Sequence, residues 1–95
     1  MIFVRDIQQA VARRYRVPVS IMTQPDGLGT RAREFTRPRQ VAMTLAVDIT
    51  RHGPTRIGQL FGGRDHSTVH HARNAVNGND ELRLSLIRLK MELGR

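Results

Sequence analysis

The chain has 95 residues, enough for one small domain with a modest core and too few for two. Lys and Arg number 16 against 8 Asp and Glu, a formal charge of +8, and every cation except Lys90 is an arginine. That balance excludes an acidic tail and makes a polyanion the first partner to consider, while the lack of cysteine excludes a disulfide framework, thiolate catalysis and Cys-ligated zinc.

The elements follow in chain order. Val4, Ile7 and Val11 recur at helical spacing with Ala10 and Ala12 beside them, and Arg13, Arg14 and Arg16 crowd the last turn, where positive charge suits the helix dipole. Pro18 to Met22 has room for one further short turn. Gln24-Pro-Asp-Gly-Leu-Gly29 reads as a loop, since Pro25, Asp26 and Gly27 supply turn geometry in order. Residues 31–39 hold four Arg and one Glu, a net +3 in nine positions, continuing a basic loop over about 23–37. Pro38 reads as the first residue of a second helix, with Arg37 before it extended. Val41, Leu45, Val47 and Ile49 are that helix's apolar positions, and Ala42 and Ala46 allow a neighbour to approach closely.

Gly53 and Pro54 separate this helix from a short segment, 54–61, with Ile57, Leu60 and Phe61 as its buried stripe. Gly62-Gly63 breaks the chain again, and Asp65 stands as N-cap of a helix starting at His66. Val69, Ala72 and Val76 form its inner face, leaving His70, Arg73, Asn74 and Asn77 outside. A last helix, about 80–93, carries Leu82, Leu86, Leu89 and Leu93 on one stripe and Leu84, Ile87 and Met91 on another; burial in the protein's own core is favoured over a dimer seam, so a monomer is expected. No strand alternation of useful length and no repeat appears. The chain is expected to be a single all-α domain spanning 1–95.

The segment Pro54 to Asn77 has the outline of a helix-turn-helix. That motif lays its second helix in the major groove with the N-terminal residues towards base edges. Here these are Asp65, His66, Ser67 and Thr68, preceded by Arg64, all able to hydrogen-bond a base or phosphate. Arg37, Arg39 and Gln40, beside an expected helix N-terminus, are placed to meet a phosphate. The plainer alternatives are an ordinary helical hairpin with Asp65 as a mere cap, and a solvated basic loop.

These residues also match a known pattern. Phe61-Gly-Gly-Arg-Asp-His-Ser-Thr-Val69, with His71-Ala72 after it, closely resembles the signature of the C-terminal DNA-binding domain of bacterial replication initiators of the DnaA family. Arg37-Pro-Arg-Gln40 ahead of an alanine-rich helix resembles that domain's preceding motif, at matching spacing, and the likeness covers roughly residues 3 to 90. The resemblance implies a Trp-repressor-like helical domain, with the helix-turn-helix at about 54–77, that recognises a nine-base-pair DnaA box in double-stranded DNA. It implies major-groove and nearby backbone contacts from Asp65, His66, Ser67 and Thr68, and phosphate or base-edge contacts from Arg39 and Gln40. It further implies a minor-groove arginine at Arg31, with Arg33 as its competitor. The chain departs from the family at Ser67, usually Thr, at Val47, often Lys, and at His70, commonly aliphatic. Extra residues surround Pro25 to Gly29, and Glu34 dilutes the loop's charge.

Other signals are weaker. His66 and His70 stand at i,i+4 but lack the Glu of a zinc-binding pair, so no metal is expected, and His71 is expected near the core. Nothing resembles Gly-x-x-x-x-Gly-Lys-[Ser/Thr], so the initiator's ATPase module is missing from this sequence, which is either an excised domain or a stand-alone protein. No nucleophile is organised around Asp65 and His66, so no enzyme and no cofactor are expected. With no membrane-length apolar run and no signal peptide, the expected location is cytoplasmic and nucleoid-associated. The favoured reading is a sequence-specific duplex-DNA module: part of an initiator, or a regulator or competitor without the ATPase. The alternative is a protein-interaction adaptor that keeps the fold and turns its basic face to an acidic partner such as a replication protein.

Overall fold

Helix α1 (Val4–Tyr15) starts where Asp6 turns back to accept the Phe3 backbone N–H at 3.2 Å. It ends at Arg16 in the left-handed region (φ 56°), which lets the Val17 N–H reach the Ala12 carbonyl at 3.0 Å. In this computed structural model, residues 2–24 and 34–94 are described, together with the backbone but not the side chain of Arg33. A 3-10 turn (Val19–Met22) follows α1, then α2 (Arg33–Ile49), α3 (Pro54–Leu60), α4 (His66–Asn77) and α5 (Asp80–Leu93). Among the described residues there is no strand, so the chain is all-helical as its patterning predicts.

Helix α2 is the centre of the packing. Ala42 and Ala46 are fully buried, and their small side chains let the other helices come close; α2 touches α1, α3, α4, α5 and the 3-10 turn. Ile7, Leu45, Ile57, Phe61, Val69 and Leu89 are inaccessible to solvent and form one continuous core across all five helices. At the far end of α2, Asp48 accepts from Lys90 Nζ of α5 at 2.8 Å and faces Arg73 Nη2 of α4 at 3.7 Å, tying three helices together. Asn79 caps α5, its Oδ1 accepting the Leu82 N–H at 3.0 Å.

Three local expectations are corrected. Helix α2 begins at Arg33, five residues before Pro38, so Arg37 is helical and Pro38 lies inside the helix. Only about one turn precedes the proline, which limits what its missing N–H forfeits, and that turn lets Phe35 pack on the core while Pro38 itself is fully buried. The open N–H groups of α2 therefore belong to residues 33–36, a turn away from Arg39 and Gln40. His71 is exposed, because core positions Val69, Ala72 and Val76 point the other way round α4. Finally, α5 buries only one stripe: Leu82, Leu86 and Leu89 are covered, while Leu84, Ile87 and Met91 are 49%, 51% and 59% exposed.

Candidate nucleic-acid interface

Helix α4 is aimed by the turn before it, and three glycines make that turn possible. The Arg64 N–H donates to the Gly58 carbonyl at 2.8 Å, folding the turn back onto α3. A Cβ on Gly58 would stand 2.1 Å from the Arg64 carbonyl oxygen, so a larger residue there forces the turn to shift. Gly62 and Gly63 take φ values of 81° and 75°, the left-handed region, and a Cβ on Gly62 would also meet the Thr23 carbonyl at 2.5 Å. Phe61, fully buried, anchors the start of the turn.

Out of this turn comes Asp65 in extended conformation (φ −71°, ψ 154°), the N-cap position of α4. Its side chain makes no cap hydrogen bond. It is engaged instead by its neighbours: Ser67 Oγ donates to Oδ2 at 2.8 Å and His66 Nδ1 meets Oδ1 at 2.9 Å. The Ser67 hydroxyl, followed by the His66 charge and hydrogen bonds, holds the Asp65 carboxyl below the usual carboxylate range, although desolvation opposes them. The carboxylate thus orients both side chains. With Nδ1 engaged by Asp65, the Nε2 of the exposed His66 ring is left to face another partner. His66 also meets the His70 ring edge-on, centroids 6.0 Å apart, one helical turn along the exposed face. Asp65, His66 and His70 are exposed, and Ser67 and Thr68 are half-buried, so the first turn of α4 offers polar groups in fixed directions.

The family described as bacterial DnaA protein helix-turn-helix matches residues 4–76, a span that includes α3, the glycine-shaped turn and this Asp-His-Ser-Thr start. The chain belongs to the DnaA helix-turn-helix family. It is 46% identical over 71 residues to the chromosomal replication initiator protein DnaA of Psychromonas ingrahamii, covering 75% of this chain and 15% of that protein. DnaA of Francisella tularensis subsp. novicida and of Francisella philomiragia match at the same identity and coverage of this chain, over 14% of their length. The chain therefore spans about one-seventh of the DnaA proteins it matches, and α5 lies beyond the 4–76 DnaA helix-turn-helix match.

The remaining residues nominated from the sequence divide by accessibility. Gln40 and Arg37 are half-buried on α2, with side chains that reach the surface. Arg39 and Arg64 are not surface groups: they are 6% and 8% exposed. Arg39 Nη1 donates to the Ile21 carbonyl at 3.1 Å; Arg64 Nη2 donates to the Gln24 carbonyl at 2.7 Å and its Nη1 to the Phe61 carbonyl. Both guanidinium groups, nominated as DNA contacts, are turned inward, to carbonyls 18 and 40 residues away in sequence. Arg31 and the side chain of Arg33 lie outside the described residues. Sequence reasoning missed Gly58, whose signal was an isolated glycine within a helical stretch. It also missed the carbonyls of Ile21 and Gln24, for which there was no sequence signal.

Among the described residues no cluster of three or more metal-ligating side chains occurs, and no helix is long and apolar enough to cross a membrane.

Proposed function

We propose that this chain reads double-stranded DNA sequence-specifically at sites resembling a DnaA box, by laying the start of α4 in the major groove. The observation that carries this reading is the Asp65-His66-Ser67 arrangement, an exposed carboxylate holding two polar side chains at the first turn of the second helix of a helix-turn-helix. His66, Ser67 and Thr68 read base edges, and Asp65 orients the first two. Arg37 and Gln40 meet the sugar-phosphate backbone, and Arg31, with Arg33 as competitor, enters the neighbouring minor groove. The +8 charge brings the chain to the duplex and makes its affinity strongly salt-dependent. Its role is binding rather than catalysis. Within a longer initiator it is the origin-recognition module, and on its own it is a regulator or competitor that occupies such sites without ATP-driven assembly.

The experiment is a binding-site selection on random duplex DNA, followed by competition between a duplex with a nine-base-pair DnaA box and a scrambled one. The box is expected to win by at least about tenfold at physiological salt. His66→Ala should cost about 1–3 kcal/mol on the box and little on the scrambled duplex. No selected motif, together with equal affinity for the two duplexes, would refute the proposal.

A further inference from the structure

Two buried arginines from different parts of the fold grip one short stretch of backbone. After the 3-10 turn Val19–Met22, the Thr23 and Gln24 N–H groups both donate to the Ser20 carbonyl, at 3.2 and 3.1 Å. Arg39, from α2, supplies a donor to Ile21, and Arg64, from the turn before α4, supplies one to Gln24. The second fork of Arg64 takes the Phe61 carbonyl, so this one side chain bridges the helix-turn-helix to the segment that follows the 3-10 turn. Steric fit seals the same contact: the Thr23 carbonyl lies so close to Gly62 that a Cβ there would stand 2.5 Å from it. A planar guanidinium can hold two carbonyls at once, which an ammonium on a flexible stem does poorly.

We propose that Arg64, seconded by Arg39, is a positioning residue that locks residues 21–24 to the start of the recognition helix, so that the two move as one body, without touching DNA. The inference deepens the DNA-reading proposal and rests on it only for its effect on affinity. Arg64 immediately precedes Asp65, and its own N–H is held by Gly58. Its side chain therefore links the backbone that aims α4 to the backbone that leads out of Gln24 into the basic segment. Loss of this link leaves the first turn of α4 and residues 21–24 free to move separately, and the entropy of ordering both then falls on binding.

The test uses the full chain with Arg64→Ala and Arg64→Lys, read in two independent ways. Without DNA, amide hydrogen exchange at Thr23 and Gln24 is expected to quicken at least about tenfold in both variants, while the α5 amides of Leu86 and Leu89 keep their protection. On a DnaA-box duplex, both variants are expected to bind about tenfold more weakly, with the slope of log Kd against log salt unchanged. A direct phosphate contact predicts the opposite pattern: Arg64→Ala shallower by about one unit of slope, and Arg64→Lys close to wild type. That pattern, or unchanged exchange at Thr23 and Gln24, overturns the proposal. So does simultaneous loss of protection in α5 in both variants, since Arg64 would then be holding the whole core. If the unmodified chain shows no preference for the box, the DNA reading fails while the exchange measurement still decides the clamp.

Discussion

Gly58→Ala is the sharpest perturbation this fold offers. In most helices the substitution stabilises, by about 1 kcal/mol of helix propensity. Here the new Cβ would lie 2.1 Å from the Arg64 carbonyl oxygen, a backbone atom with no flexible end to move aside. The turn must retreat by roughly 1 Å, a distortion of the overpacking kind that costs about 1–3 kcal/mol. The retreat also stretches the 2.8 Å bond from the Arg64 N–H to the Gly58 carbonyl, for about 1 kcal/mol more. Against the propensity gain, the net loss is about 2 kcal/mol, or a fall in Tm of about 8–16 °C for a domain of this size. Urea unfolding followed by far-UV circular dichroism measures it. Gly78→Ala is the control: its Cβ would meet the Asn74 carbonyl at an ordinary 3.4 Å, so stability should stay within about 0.5 kcal/mol or rise slightly. A Gly58→Ala protein as stable as wild type, or more so, would refute the claim that α3 and the turn are in backbone contact.

The two turn glycines should part company on substitution by asparagine, which tolerates the left-handed region. Gly63→Asn has open space and should cost less than about 1 kcal/mol in the same assay, whereas Gly62→Asn meets the Thr23 carbonyl and should cost about 2 kcal/mol or more. Asp65 titrates below the usual carboxylate range chiefly through Ser67, so its stabilising contribution is present above the unfolded-state value near about 4 and is lost as pH falls through its lower folded value. Ser67→Ala should move the Asp65 carboxyl midpoint upward in a carbon-detected NMR titration, and an unmoved midpoint would show that the hydroxyl does not hold it. Asp48→Asn weakens a partly exposed triad with Lys90 and Arg73, so it should cost about 0.5–1 kcal/mol at low salt and less at 0.5 M or so. Equal losses in urea titrations at both salt concentrations would exclude an electrostatic origin.

Helix identity, the helix-turn-helix and the polar start of α4 were all legible in the sequence, because each depends on groups a few residues apart. Apolar spacing named Ile7, Val11, Val69 and Val76 as inward-facing, and Gly53-Pro54, Gly62-Gly63 and Asp65 placed α3 and α4 to within a residue or so. Asp65, His66 and Ser67 come together for the same reason: they are consecutive, and one carboxylate reaches both neighbours. Where partners are distant, local signals misled or fell silent. Pro38 has the chemistry of a helix start, but burial of Phe35 on the core carries α2 a turn further back. Periodicity found both apolar stripes of α5 without revealing that the fold covers only one of them. Arg39 and Arg64 read as open cations, because a side chain's charge is local while the carbonyls of Ile21 and Gln24 are brought beside them only by packing. An arginine's fork satisfies a phosphate and a pair of backbone carbonyls with the same donors, and only the tertiary structure decides which of them it meets.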